Sequence, residues 1–101
     1  MRRIDIIFQT KISQTTFTSY LRSGIVVFII DESGNRNYDP SSVKRVIATQ
    51  RLITLGCRIE DSKTLLDKHD PGDIVSKMDT LPVGDFQKWI ASEISQKSKR
   101  K

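Results

Sequence analysis

Hydrophobic positions in residues 13–24 repeat with the spacing of an α-helix. Phe17, Tyr20 and Leu21 fall at i, i+3 and i+4 and so form one apolar stripe. Ser13 suits the position before the helix, because its hydroxyl can accept a hydrogen bond from a free backbone N–H of the first turn. Gly24 suits the position after the helix, where a left-handed residue ends many helices. The pattern predicts a helix over residues 13–23.

The opposite face of this helix is polar but carries a single charge. Its side chains are Gln14, Thr15, Thr18, Ser19 and Arg22. A solvated helix face more usually carries Glu and Lys. Short side chains that donate and accept hydrogen bonds are typical of a helix that meets base edges in the major groove of DNA. The alternative is a plain polar surface helix.

The first eleven residues fit two patterns. Ile4, Ile6 and Phe8 alternate as in a strand, whereas Ile4, Ile7 and Phe8 would share one face of a helix. We expect a short first helix, because a polar helix and a hairpin follow it.

A hairpin is predicted after the polar helix. Residues 25–30 are rich in β-branched side chains, which favour a strand. The turn-forming residues 31–35 come next, and residues 36–38 can return as the partner strand. Residues 25–38 therefore form a predicted two-stranded wing.

Two further helices follow the wing. Asp39 and Pro40 favour a helix start, with the aspartate as N-cap and the proline in the first helical position. Gly56 is expected to end this helix. Glu60 and Asp61 favour the start of the next one, because acidic side chains stabilise the positive end of the helix dipole. The expected buried side chains of the first of these helices are Val43, Val46, Ile47, Leu52, Ile53 and Leu55.

The break at Asp70-Pro71-Gly72 predicts a division into residues 1–69 and 70–101. The second part would hold a short apolar segment (Ile74, Val75, Met78), a break at Leu81-Pro82, an amphipathic helix and the basic tail 97–101. That helix carries Phe86, Trp89, Ile90 and Ile94. It either completes the core or forms a surface for a homodimer or higher oligomer, whereas the tail either binds DNA electrostatically or is only solubilising.

Length and charge narrow the class of protein. A chain of 101 residues fits one small domain with a modest core. The formal net charge of +5 favours an anionic partner, of which nucleic acid is the commonest. A basic surface that is merely solvated is the alternative.

The scarcity of cysteine and histidine argues against several kinds of chemistry. Cys57 has no partner for an internal disulfide and is expected to be a buried structural thiol, and His69 alone cannot build a metal site. We therefore expect neither an enzyme nor a metal or other cofactor. No apolar run approaches the roughly 20 residues that cross a bilayer, and no signal-peptide pattern is present. A cytoplasmic, nucleoid-associated protein is expected.

The order of these elements resembles the MerR-type winged helix-turn-helix DNA-binding domain. Four stretches carry the resemblance: Thr10–Ser13 as its turn, Thr16–Ile25 as its recognition helix and following glycine, Ser33–Tyr38 as its wing tip, and Val43–Leu66 as the two helices after the wing. The resemblance covers about two-thirds of the chain, residues 4–67. It implies a mainly α fold with a small β-hairpin, here followed by a C-terminal amphipathic helix, and it implies binding to double-stranded DNA.

The sequence departs from this family at several positions. Lys11 replaces the usual glycine of the turn, and Arg58 replaces the serine that normally caps the last helix. Thr18-Ser19-Tyr20 stands where an arginine usually precedes two aromatic residues. The family's regulators continue into a long dimerisation helix and an effector domain, for which the 34 residues after Asp67 leave no room. We therefore expect no small-molecule effector.

The predicted DNA contacts differ in role. Gln14 can pair bidentately with adenine, and the methyl groups of Thr15 and Thr18 can touch thymine. Tyr20 and Arg22 are expected at phosphates, with a core position as the alternative for the tyrosine. The resemblance implies a backbone contact at the wing arginine, and two basic residues after the wing add candidates, one of which is expected to face solvent. The full set is Gln14, Thr15, Thr16, Thr18, Tyr20, Arg22, Arg36, Lys44 and Arg45.

These observations predict a small sequence-specific transcriptional regulator. It would read the major groove with helix 13–23 and contact the backbone with the 25–38 wing. One alternative is an architectural DNA-binding factor on repeated sites, such as an excisionase-like, plasmid-partition or chromosome-organising protein. Another is a protein-interaction module in which the helix of Trp89 meets an acidic partner.

Overall fold

The computed structural model describes the backbone of residues 1–99 and the side chains of residues 1–95. Within this part, the chain forms six helices and one two-stranded antiparallel sheet. In chain order they are α1 Arg3–Thr10, α2 Gln14–Arg22, β1 Phe28–Ile30, β2 Arg36–Tyr38, α3 Ser41–Thr54, α4 Ile59–Lys68, α5 Pro71–Thr80 and α6 Val83–Lys99. The fold is thus mainly helical with a small hairpin. The predicted tail 97–101 lies outside the side chains that are described.

The first two helices meet at a tight turn. Lys11 ends α1 with φ 62°, a left-handed conformation that side chains rarely adopt. Ser13 caps α2, since its Oγ accepts from the N–H of Thr16 at 3.0 Å. Gly24 follows α2 with φ 85°. The predicted helices in residues 1–11 and 13–23 are confirmed.

The hairpin is shorter than the sequence predicts. Its first strand begins at Phe28 and not at Ile25, because the N–H groups of Ile25 and Val26 both donate to the carbonyl of Tyr20 and close the end of α2. Both residues are fully buried. The paired positions are Phe28 with Tyr38, Ile29 with Asn37 and Ile30 with Arg36.

Helix α3 begins one residue later than predicted. Ser41 is its first residue, and Pro40 precedes it. Asp39 still performs the capping role, because its Oδ1 accepts from the N–H of Ser41 at 2.8 Å. This hydrogen bond lowers the pKa of the Asp39 carboxyl. Gly56 follows α3 with φ 97°, as expected for a glycine that ends a helix.

The segment expected to be short after the Asp70 break is a full helix. Asp70 caps α5, since its Oδ2 accepts from the N–H of Gly72 at 2.9 Å, and Pro71 occupies the first turn. Ile74 from α5 and Phe86 from α6 are buried in the same hydrophobic cluster as Phe17 of α2. The core therefore runs without interruption across the predicted boundary at residue 70.

Helix α6 folds back onto the protein. Trp89 is half-buried, with its ring centroid 5.6 Å from that of Phe86 and 5.1 Å from that of His69. The Lys77 ammonium lies 5.2 Å from the same ring. This packing supports the interpretation in which α6 completes the core. Among the described helices, none combines the length and the apolar character needed to cross a bilayer.

Candidate nucleic-acid interface

The polar face of α2 lies at the surface. Gln14, Thr15, Ser19 and Arg22 are all exposed, while Phe17 on the opposite side is fully buried. A shallow concavity of about 500 Å³ runs along this face and is bounded by Ile59 at the start of α4. Helix α2 is therefore anchored in the core by its apolar stripe, and its exposed hydrogen-bonding side chains lie on the opposite face.

Two of the predicted contact residues on α2 already use their hydroxyls in hydrogen bonds to other side chains of the protein. Thr16 Oγ1 accepts from the Ser13 hydroxyl at 3.0 Å. Thr18 Oγ1 accepts from Arg3 Nη2 at 2.9 Å. Thr18 is half-buried, so it is less available to a ligand than Gln14 or Thr15.

Tyr20 belongs to the core. It is 4% exposed and lies in the cluster that contains Phe17. Burial raises the pKa of its hydroxyl. Of the two interpretations of this residue, the structure favours the core position over a phosphate contact.

The wing presents one arginine and a largely apolar surface. Arg36 is exposed, and its guanidinium carbon lies 4.4 Å from the centre of the Phe28 ring. Val27, Ile29 and Ile30 are 61%, 69% and 58% exposed. The sequence predicts a strand here. It does not predict that the apolar side chains of this segment are exposed to solvent.

The two basic residues at the start of α3 face different ways. Lys44 is exposed. Arg45 points inward: its Nε donates to the carbonyl of Ile25 at 2.6 Å, and its Nη2 lies 3.8 Å from Asp67 Oδ1. Arg45 therefore ties segments of the fold together, and of this pair only Lys44 is free to meet a ligand.

The arginines of the described chain divide according to their ion pairs. Arg45, Arg51 and Arg58 each lie 2.7–3.8 Å from a carboxylate oxygen. The remaining four have no such partner among the described side chains, and all of them precede residue 40: Arg2, Arg3, Arg22 and Arg36. Unneutralised guanidinium charge is thus concentrated around α1, α2 and the wing. These guanidinium groups are available to attract an anionic ligand.

Arg2 and Arg3 were not among the predicted contact residues. Arg3 lies against α2, with its guanidinium carbon 4.7 Å from the centre of the Phe17 ring and a hydrogen bond to Thr18. The two consecutive arginines at the start of the first helix, Arg2 as its N-cap and Arg3 as its first residue, are a signal for a basic patch. Their proximity to α2 depends on the fold of the chain between them and could not be read from their positions in the sequence.

The single cysteine and the acidic side chains form no obvious site. Cys57 is half-buried, not buried as expected, and both burial and the nearby charge of Asp61 raise the pKa of its thiol. In the part of the chain that is described, no three His, Cys, Asp or Glu side chains converge in a way that could hold a metal ion.

Comparison of the chain with protein-family models, with curated proteins and with solved structures finds no match. The resemblance to the MerR-type domain therefore remains a prediction from the sequence. The surface formed by α1, α2 and the wing is the candidate interface.

Proposed function

We propose that this protein is a sequence-specific double-stranded DNA-binding protein, a small transcriptional regulator built on a MerR-like winged helix-turn-helix. The observation that carries the proposal is the exposed polar face of α2, surrounded by arginines that have no carboxylate partner. A helix supported in this way can enter the major groove without reorganising the fold. A nucleoid-associated location would follow from the same activity.

The contacts would divide between bases and phosphates. Gln14 and Thr15, exposed in the first turn of α2, would meet base edges, as the N-terminal residues of recognition helices do. Arg22, Arg36 and Lys44 would contact phosphates on either side and fix the register of the helix in the groove.

An architectural role on repeated sites is the second candidate. The observation in its favour is the apolar surface of the wing, where Val27 and Ile29 are each more than 60% exposed. Copies bound to adjacent sites could cover these side chains against one another, and filling of the sites would then be cooperative. A lone regulator has no such use for an uncovered apolar wing.

Fluorescence anisotropy with labelled genomic fragments tests DNA binding. We expect salt-sensitive binding to a subset of fragments, with affinity falling steeply as salt rises because phosphate contacts release counterions. Gln14→Ala should weaken binding to the selected site by about 1–3 kcal/mol. The matched control is Gln87→Ala, which changes an exposed glutamine on α6 and should leave affinity unchanged.

Two outcomes would count against the proposal. Absence of salt-sensitive binding to any duplex would remove the DNA-binding function. Equal losses for Gln14→Ala and Gln87→Ala would remove α2 as the reading element. Footprinting then separates the two candidate roles: a single palindromic site indicates a regulator, whereas cooperative filling of direct repeats indicates an architectural factor.

A further inference from the structure

A cleft of about 350 Å³ lies between the start of α1 and the wing, and we call it the α1–wing cleft. Half of its lining residues are arginines that have no ion pair among the described side chains. The lining residues are Arg2, Arg3, Ile4, Asn35, Arg36 and Tyr38. Three unneutralised guanidiniums around one concavity repel one another, and an anion would relieve that repulsion.

Two of the lining residues also hold buried donors that lack an acceptor. Tyr38 is 2% exposed, and its hydroxyl is buried without a hydrogen-bond partner. Arg3 Nε is buried and unpartnered as well, although Nη2 of the same side chain donates to Thr18. Buried donors are almost always satisfied in folded proteins, so two on the lining of one basic cleft point to a missing acceptor.

The aromatic residues beneath the cleft hold the arginines in place. Arg3 stacks on Phe17 and Arg36 stacks on Phe28, with 4.7 and 4.4 Å from guanidinium carbon to ring centre. Both rings contact Tyr38 edge-on, at centroid distances of 5.4 and 5.7 Å. The two rings that carry these guanidiniums therefore both pack against one buried phenol. Stacking fixes these side chains before a ligand arrives, which lowers the entropy lost on binding.

Two carboxylates close in sequence to the lining residues are engaged by backbone groups. Asp5 Oδ2 accepts from the N–H of Arg2 at 3.2 Å. Asp31 Oδ1 accepts from the N–H groups of Ser33 and Asn35, both at 2.9 Å. Neither carboxylate forms an ion pair with an arginine of the cleft.

We propose that the α1–wing cleft binds a phosphate group, held by the guanidiniums of Arg2, Arg3 and Arg36 and by the Tyr38 hydroxyl. Phosphate oxygens accept several charge-assisted hydrogen bonds at once, and arginine is the side chain best suited to donate them. The expected source is a backbone phosphate of a DNA duplex, and in that respect the proposal rests on the proposed function. A free phosphorylated small molecule would offer the same chemistry.

NMR of the full chain tests the cleft without a substitution. Backbone amides and arginine Nε–Hε groups are followed while inorganic phosphate is added, with sodium chloride at equal ionic strength as reference. We expect phosphate, but not chloride, to shift the Nε–Hε signal of Arg3 and the amides of Asn35 and Arg36. A second titration uses a DNA duplex selected for binding, or a random duplex if none is selected.

The phosphate and duplex titrations together distinguish three results. Shifts of the Arg3 signal with both phosphate and duplex support the cleft and assign its ligand to the DNA backbone. Shifts with phosphate alone support the cleft and assign it to a free phosphorylated ligand, even if the proposed function fails. An Arg3 signal that moves with neither overturns the proposal, even if α2 binds DNA.

Conservative variants complete the test. Arg36→Gln should weaken phosphate binding about tenfold, the effect of losing one hydrogen bond to a charged group. Tyr38→Phe removes only the hydroxyl and should also weaken binding severalfold. The control Lys88→Gln removes a charge from an exposed position on α6 and should have no effect. Equal losses for Arg36→Gln and Lys88→Gln, with none for Tyr38→Phe, would show general charge attraction and overturn the cleft as a site.

Discussion

The Nε of Arg45 donates to the carbonyl oxygen of Ile25 at 2.6 Å, across 20 residues of sequence. Its Nη1 also donates to the carbonyl of Leu66 at 3.4 Å. One side chain from α3 thus holds the segment after α2 and the end of α4. This residue, predicted to touch DNA, has a structural role within the fold.

Arg45 and its neighbour Lys44 should therefore separate stability from binding. Arg45→Met should lower the free energy of unfolding by about 2 kcal/mol, because hydrogen bonds to charged groups contribute roughly 1.5–3 kcal/mol each. Lys44→Met should leave stability within about 0.5 kcal/mol, as expected for an exposed side chain. Urea denaturation measures both values.

In anisotropy titrations with a duplex, Lys44→Met should be the more damaging of the two substitutions. Folded Arg45→Met should retain most of its affinity, whereas Lys44→Met should weaken binding and reduce its dependence on salt. Unchanged stability in Arg45→Met would contradict the structural role of this arginine.

Lys11 offers a site where glycine should stabilise the fold. Its φ of 62° is left-handed, a conformation that costs a side chain about 1–2 kcal/mol and costs glycine little. Lys11→Gly should raise the free energy of unfolding by about 0.5–1 kcal/mol. This figure is what remains once the larger conformational entropy that glycine loses on folding is subtracted. Lys11→Ala keeps the Cβ and should bring no gain. Thermal denaturation would count against this account if alanine stabilised as much as glycine.

Arg58 stands at the N-cap of α4 without capping it. Its φ and ψ of −82° and 157° suit a cap, but its side chain makes no capping hydrogen bond. Arg58→Ser should stabilise the protein by about 1 kcal/mol, because the serine hydroxyl can accept a hydrogen bond from a free N–H of the first turn. The lost pair with Glu60, at 3.7 Å and largely exposed, should matter little. Arg58→Ala, which removes the pair without adding a cap, should show no gain in chemical denaturation.

Glu93 should make stability depend on acid pH. His69 Nε2 lies 2.7 Å from Glu93 Oε1, and this hydrogen bond, with Lys68 at 3.3 Å, lowers the carboxyl pKa below its ordinary 4.5. A lowered pKa in the folded state means that the pair stabilises the fold above pH 4.5 and ceases to do so as pH falls through the lowered value.

Glu93→Gln should therefore be less stable than the parent protein at pH 6, and the difference should shrink towards pH 3. Urea denaturation across this range measures it. Glu32→Gln changes an exposed glutamate in the wing turn that has no ion pair among the described side chains, and it should follow the parent curve. A constant difference between the parent and Glu93→Gln at all pH values would contradict the proposed linkage.

Local chemistry made most of the helix boundaries predictable. Ser13, Gly24 and Gly56 act at the ends of helices through hydrogen bonds or a left-handed backbone, and both effects depend on neighbouring residues only. The start of the wing was predicted less well. Ile25 and Val26 have the composition of a strand, but the nearby carbonyl of Tyr20 takes up their N–H groups. Strand propensity does not show that a helix carbonyl competes with the partner strand for these N–H groups.

The candidate site was predictable only in part. The exposed face of α2 follows from the spacing of Phe17, Tyr20 and Leu21, which fixes the buried side. The inward turn of Arg45 depends on carbonyls 20 and 21 residues away. The stacking of Arg3 on Phe17 likewise requires α1 and α2 to be packed. Contacts between residues far apart in the sequence do not produce a periodic pattern from which they could be predicted.

Phe17, Ile74 and Phe86 lie in one hydrophobic cluster, so we expect the molecule to melt as a single unit. Removal of the last two helices would uncover α3 and α4, against which they pack, so a fragment ending near residue 70 should be less stable than the full chain. Heating should accordingly produce one transition in which the aromatic signals of α2 and of Trp89 disappear together.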